Sequence, residues 1–251
     1  MASLTGKTAV ILGASGTHNF GAAIARRFAE EGANVVVAAR RKEALDALAT
    51  EIGGLAVACD VTQEDTIAAL FAAAHEAYGS VDIAVFSAGI YGPGTIAELS
   101  ADSIRPSLEV SFIGAVLFMK HAAEAMGEGG SFITVSSLTA RLPGPGLAAY
   151  AGARAGIDFV LKIAAWEYEG RQLRFNSIAA GLIQTDMTDM LFDMQGIVDA
   201  HLENTPLKRM GTLDDMAEAA LFLADDKRSG FINGQVLDLA GGQQIGRLPR
   251  F

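Results

Sequence analysis

The sequence predicts an α/β domain: a single doubly wound parallel sheet of about seven strands with helices on both faces. Three observations predict it. Short apolar runs recur along all 251 residues, alanine-rich stretches of helical pattern separate almost all of them, and a glycine-rich turn follows the first run. Strands covered by helices on both sides read as continuous apolar runs, which matches the hydrophobic content of 51%. The right-handed crossover rule then favours the open, doubly wound sheet over a closed barrel. No repeat of fixed period and no linker rich in Pro, Ser or charge interrupts the pattern, so one domain over residues 1–251 is expected.

The predicted strands are Thr8–Leu12, Asn34–Ala38, Leu55–Ala58, Ile83–Phe86, Phe132–Val135, Phe175–Ile178 and Gln235–Leu239. The first leads into a turn carrying Gly13, Ser15, Gly16, Phe20 and Gly21, then a helix over Ala22–Glu31 that stops at Gly32. Glycines between a strand and a helix let backbone N–H groups approach a pyrophosphate, which makes this turn a candidate dinucleotide cradle. The second strand ends at Ala38-Ala39 before Arg40-Arg41. Ala39 supplies no acid for ribose hydroxyls, whereas Arg40 suits a 2′-phosphate, so NADP(H) is the preferred cofactor and NAD(H) the lesser one. The third strand ends in Cys59-Asp60-Val61, where the Asp60 carboxylate can accept from the adenine amino group; capping by Asp60 or Thr62 is the competing account.

The fifth run continues into Ser136 and Ser137, Pro143-Gly-Pro-Gly146 turns the chain, and a helix begins near Leu147. Tyr150 and Arg154 lie four apart on that helix and share a face. A cation beside a phenol favours the phenolate, so the pair is a candidate acid/base unit. Ser137, at the carboxyl end of its strand, stands where its hydroxyl can share a substrate oxygen with Tyr150.

Composition excludes several functions. No apolar stretch approaches the roughly 18–20 residues of a membrane span, and Met1–Lys7 lacks the pattern of a signal peptide, so a cytoplasmic protein is expected. The net charge of −10 argues against nucleic acid or an anionic membrane as partner. Cys59 is the only cysteine, which rules out an internal disulfide, and the four histidines are scattered without metal-ligand spacing, so no metal is expected. A small molecule is the expected partner.

The motifs together resemble the short-chain dehydrogenase/reductase family over nearly the whole chain. The resemblance rests on Gly13 to Gly21, Asp60-Val61, Ala88-Gly89, the spacing from Ser137 to Tyr150, Gly181 to Met187 with Ile183 and Thr185, Pro206–Gly211 and Asn233–Leu237. It implies a Rossmann-type fold and a nicotinamide cofactor held by Gly13, Ser15, Gly16, Phe20, Gly21, Arg40, Asp60, Val61, Ala88, Gly89, Ile183 and Thr185. It also implies hydride transfer at a carbonyl, with Tyr150 giving the proton, Ser137 orienting the oxygen and Arg154 stabilising tyrosinate.

The sequence departs from the family at the site itself. Arg154 stands where the family has lysine, Ser111 where it has a proton-relay asparagine, Phe86-Ser87 for Asn-Asn, Ala180 for Pro, and Ala240 for Asp. The glycine-rich turn is also longer than the family's. Ser-x12-Tyr-x3-Arg is similar to halohydrin dehalogenases, a non-redox branch in which the tyrosine takes a proton from a hydroxyl and the alkoxide displaces halide. Asn19-Phe20-Gly21 is similar to their halide-pocket turn, with Ser15 where a threonine is expected. A chain without nucleotide has no evident use for Arg40 and Asp60 together, so the reductase reading is favoured over this dehalogenase-like one; a nucleotide-binding protein without catalysis is a further reading.

Met187, Met190, Leu191, Phe192 and Met194 fall where the family keeps a mobile lid, here expected near 186–206, and their apolarity predicts a small to medium apolar organic substrate. The helices near Ala101–Met126 and Ala148–Glu169 match those that form subunit contacts in the family, which implies a homotetramer. The tail Gln243–Phe251 is expected to close a neighbouring site or to fray.

Overall fold

The structure, a computed structural model, describes residues 2–246. In chain order the elements are β1 Thr8–Leu12, α1 Phe20–Glu30, β2 Asn34–Ala39, α2 Lys42–Ile52, β3 Leu55–Ala58, α3 Glu64–Tyr78, β4 Val81–Phe86 and α4 Ala101–Leu108. After a π-turn at Glu109–Ile113 come α5 Gly114–Ala125, β5 Met126–Ser137, a 3₁₀ turn at Leu138–Ala140, α6 Ala148–Glu167 and β6 Leu173–Ala180. The chain ends through α7 Asp189–Phe192, α8 Gln195–Asn204, α9 Leu213–Ala224, α10 Asp226–Ser229 and β7 Val236–Leu239.

All seven strands form one parallel sheet in the order β3-β2-β1-β4-β5-β6-β7. The chain therefore winds outward from β1 in one direction and from β4 in the other. Their carboxyl ends diverge at the centre, and this switch point opens a crevice. The alternation of side chains along β1 divides the core. Ala9 and Ile11 face the layer packed on α1, α2 and α9, whereas Val10 and Leu12 face α3, α5 and α6. A run of aromatic contacts, Phe71–Phe118, Phe118–Phe132 and Phe132–Phe175, fills the second layer. Among the described residues no helix is long and apolar enough to cross a membrane.

Several boundaries differ from the sequence reading. β5 begins at Met126 rather than Phe132 and β6 at Leu173 rather than Phe175. The helix expected from Ala22 starts at Phe20, because the Asn19 side chain caps it by accepting from the Ala22 N–H at 2.8 Å. The stretch expected as one helix from Ala101 to Met126 is broken by the π-turn at Glu109–Ile113. Of the tail, Gln243–Ile245 make a 3₁₀ turn, and residues 247–251 lie outside the described residues.

Candidate active site

A cleft of about 330 Å³ runs along the carboxyl ends of the strands and crosses the switch point. Gly13, Ser15, Phe20, Arg40, Asp60 and Val61 line one half of it, and Ala88, Gly89, Tyr150, Arg154 and Thr185 line the other. Gly16, Gly21, Ser111, Ser137 and Ile183 do not line it. Ser137 is nonetheless adjacent, because its neighbour Ser136 forms part of the wall.

The central turn is built by close approach. A Cβ on Gly13, whose φ is +96°, would stand 2.7 Å from Ser87 Oγ and 2.8 Å from the Ala88 N. One on Gly21 would stand 2.6 Å from the Gly13 O. These glycines bring the start of α1 against the ends of β1 and β4. Ser87 Oγ donates to the Leu12 O at 2.9 Å and so ties β4 to β1 at the switch point. Sequence reading noted Ser87 only as a departure, and nothing in the sequence pointed to this bond.

Gly16 has a different reason to be glycine. A Cβ there would collide with the Asn19 amide and the Asp186 carboxylate. The Asp186 N–H donates to the His18 O at 2.9 Å, and the His18 N–H donates to Asp186 Oδ2 at 3.4 Å. The turn is thus tied to the base of the segment carrying α7 and α8.

At the β2 and β3 end, Arg40 is exposed at the cleft. Arg41 turns back instead, donating from Nη2 to the Ser15 O at 3.0 Å. Asp60 Oδ1 accepts from the Thr62 N–H at 3.1 Å and the Thr62 Oγ1 at 2.8 Å, the capping geometry that competes with a nucleotide contact. Those bonds, with the Arg40 charge, hold the Asp60 carboxyl below its ordinary range, so it is an anionic acceptor at neutral pH. Ile183 is 2% exposed, packs in the α1, α2 and α9 layer and bridges to Gly211 through its backbone; its side chain belongs to the core and not to the cleft.

At the opposite end, α6 carries Tyr150 and Arg154 on one face, as their spacing requires. The Arg154 Cζ lies 5.3 Å from the Tyr150 ring centroid, so the charge meets the ring face. Arg154 is only 4% exposed. Its Nη1 donates to the Val135 O at 2.8 Å and its Nη2 to the Ala88 O at 3.2 Å, clamping the ends of β5 and β4. Gly89 makes room for it, since a Cβ there would collide with Nη2. Tyr91 meets Tyr150 edge-on with centroids 6.1 Å apart, a neighbour the sequence reading missed. Ser111, in the π-turn, is fully buried, and neither its Oγ nor Arg154 Nε has a partner among the described residues.

Behind Ser137 lies a polar layer that the sequence gave no reason to expect. Asp158, one turn beyond Arg154 on α6, accepts from Ser177 Oγ at 2.7 Å and Ser136 Oγ at 3.0 Å. Arg141 pairs with Asp238 on β7 and stands 4.0 Å from Asp158.

The residues fit a dinucleotide. Gly13 and Gly21 leave no room for a side chain at the central turn, the buried Ser111 Oγ and Arg154 Nε have no partner among the described residues, and the Arg40 guanidinium lines the far end of the cleft. The comparisons agree. A family profile described as enoyl-(acyl carrier protein) reductase matches residues 13–244. The chain belongs to the short-chain dehydrogenase/reductase family. An oxidoreductase of Mycobacterium bovis is 37% identical over 98% of this chain and 100% of its own. A 3-oxoacyl-(acyl-carrier-protein) reductase of Thermotoga maritima is 32% identical over 96% of this chain and 99% of its own. The crystal structure of a short-chain type dehydrogenase/reductase from Mycobacterium marinum superposes with a TM-score of 0.89, at 31% identity and 96% coverage of each chain. The short-chain dehydrogenase/reductase described here is accordingly an oxidoreductase that uses a nicotinamide cofactor.

Proposed function

We propose that this enzyme reduces a carbonyl, or oxidises the corresponding alcohol, on a small to medium apolar organic molecule, with NADP(H) preferred over NAD(H). The observation that carries the proposal is one cleft with Arg40 and Asp60 at one end and Tyr150 and Arg154 at the other. A nicotinamide cofactor supplies hydride to the carbonyl carbon when bound. The chain's own residues do the rest. Tyr150 gives its phenolic proton to the oxygen as the carbonyl becomes an alcohol, and takes it back in the reverse direction. Ser137 donates a hydrogen bond to the same oxygen. Arg154 places a fixed positive charge over the Tyr150 ring face, 5.3 Å from its centroid, and so fixes the ring where the proton is exchanged. The partnerless Ser111 Oγ and Arg154 Nε offer donors toward a water or a ribose hydroxyl behind that pair.

Arg40 is the residue that sets the cofactor preference. It is exposed, has no acid beside it at Ala39, and can donate to a 2′-phosphate. The segment 186–206 acts as a lid: Met187, Met190 and Met194 are half to two-thirds exposed, a flexible apolar cover for an apolar substrate. Phe159, Ile163 and Trp166 form an exposed stripe on α6, which supports assembly through that helix into a homotetramer.

Calorimetry with NADPH and NADH, followed by a screen of apolar ketones, tests the reading. Tight, NADPH-preferring binding with turnover that Tyr150→Phe reduces by about 10²-fold or more is expected. Binding of neither nucleotide, with halide released from halohydrins, overturns it in favour of the dehalogenase-like chemistry. Tight nucleotide binding without turnover of any carbonyl points to a binding protein instead.

A further inference from the structure

The 3₁₀ turn after β5 carries a hydroxyl that no motif singled out. Thr139 addresses Ser137 Oγ twice, from its backbone N–H at 3.2 Å and from its own Oγ1 at 2.9 Å. A serine hydroxyl has two lone pairs and one hydrogen. With both lone pairs engaged by Thr139, the hydrogen is all that Ser137 has left to offer the cleft. We infer that Thr139 is a positioning residue that fixes Ser137 as a hydrogen-bond donor toward the substrate oxygen. The inference rests on the carbonyl chemistry proposed above.

The rest of the turn is held so that this arrangement persists. The N–H groups of Arg141 and Leu142 both donate to the Leu138 O, at 3.0 and 2.9 Å, and the Leu138 side chain is 5% exposed. The Arg141 guanidinium then pairs with Asp238 on β7 and faces Asp158 on α6. Two carboxylates from different elements therefore hold the end of the turn, and Thr139 sits between that anchor and Ser137.

The chemical consequence is directional. A freely rotating serine presents lone pairs as readily as its hydrogen, and must turn as charge builds on the reacting oxygen. A serine preset as donor meets that charge without reorganising, and its bond strengthens as the oxygen becomes more negative. Thr139 should therefore affect turnover more than substrate affinity.

Thr139→Val keeps the backbone N–H and the side-chain shape while removing Oγ1; Thr139→Ser returns a hydroxyl. For a ketone that the wild type reduces, kcat of Thr139→Val should fall about five-fold, the loss expected from one orienting hydrogen bond. KM should stay within about two-fold and the nucleotide Kd should not move, because ground-state contacts are intact. Thr139→Ser should recover most of kcat, which a packing role for the lost methyl would not allow. Ser137→Ala and Tyr150→Phe are run alongside. Wild-type kcat in Thr139→Val, or a Thr139→Ser variant as slow as Thr139→Val, overturns the inference while loss of activity in Ser137→Ala and Tyr150→Phe leaves the carbonyl chemistry standing. Retained activity in Tyr150→Phe removes that chemistry, and the inference with it.

Discussion

Replacing Gly89 by alanine isolates the clamp made by Arg154. Gly89 does not adopt a left-handed φ, so the backbone accepts alanine and any cost comes from the side chain. That Cβ would collide with Arg154 Nη2 and stand 3.1 Å from its Cζ. Arg154 is 4% exposed and both its Nη groups are held by backbone carbonyls, so it moves only by giving up those bonds. Displacing it breaks the Nη2 bond to the Ala88 O and strains the Nη1 bond to the Val135 O. Hydrogen bonds to a charged group contribute about 1.5–3 kcal/mol, so a loss of about 2–4 kcal/mol is expected. At about 2–4 °C per kcal/mol for a chain of this length, Tm should fall by roughly 5–15 °C in calorimetry. A double-mutant cycle makes the assignment specific. Arg154→Lys removes the Nη2 branch, so Gly89→Ala added to that variant should cost less than about 1 kcal/mol. Additive losses in the two backgrounds, or a Gly89→Ala Tm within about 2 °C of wild type, would refute the steric argument.

Arg40→Ala should weaken NADPH binding about 10- to 100-fold, the value of a charge-assisted phosphate contact, and leave NADH nearly unchanged; equal losses for the two nucleotides in calorimetry would count against the role given to Arg40. Burial raises the Asp158 carboxyl above its ordinary value, against the Ser177 and Ser136 hydroxyls and the Arg141 and Arg154 charges. An acid whose pKa is higher folded than unfolded adds stability that is present below its unfolded pKa of about 3.9 and lost as pH rises through the folded value. Asp158→Asn has no such titration, so wild type should gain on it in urea midpoints as pH falls from about 7 to 4; a constant difference over that range would sink this reasoning. Trp166, 77% exposed on the same α6 stripe as Phe159 and Ile163, is the residue to disturb for assembly. Light scattering should find Trp166→Glu monomeric and wild type tetrameric, and an unchanged mass would remove α6 from the interface.

Much of this architecture was legible in the sequence because both faces of the sheet are buried. β1 is apolar at all five positions but Thr8 and was read to its ends. β5 and β6 were read short for opposite reasons. The start of β5 contains Gly127, Gly129 and Gly130, which carry no apolar pattern. β6 was read from Phe175 because the polar Arg174 precedes it; Arg174, like Asn176 within the predicted run, is buried only because distant groups receive it. Arg174 donates to Asp226 and Ser229, and Asn176 exchanges bonds with the Ile232 O and the Gln235 N–H. Pattern reading sees hydropathy and not partners remote in sequence. The same limit governs the site. Tyr150 and Arg154 were visible because one helix sets their spacing, whereas Ser87, Asp158 and Arg141 act through β1, β5, β6 and β7, and only the folded sheet brings them together. Ile183 was the converse case: a motif position whose side chain the core claims.

The arginine at the lysine position follows from the same packing. A guanidinium presents donors in a planar fork, whereas an ammonium is a point charge on a flexible stem. Arg154 uses that fork on two carbonyls, Val135 in β5 and Ala88 just past the end of β4, and its Cζ still lies 5.3 Å over the Tyr150 ring centroid. Such a clamp needs three local conditions at once: strand ends whose carbonyls converge, no side chain at position 89, and a helix that starts close enough for residue 154 to reach. The Val135 and Ala88 carbonyls, Gly89 and the start of α6 at Ala148 meet them. A lysine here would keep the charge but release at least one strand end, so Arg154→Lys is not a conservative change at this site. It should lower Tm even where it preserves proton transfer at Tyr150. Retained stability in Arg154→Lys would mean that the charge, and not the fork, is what position 154 supplies.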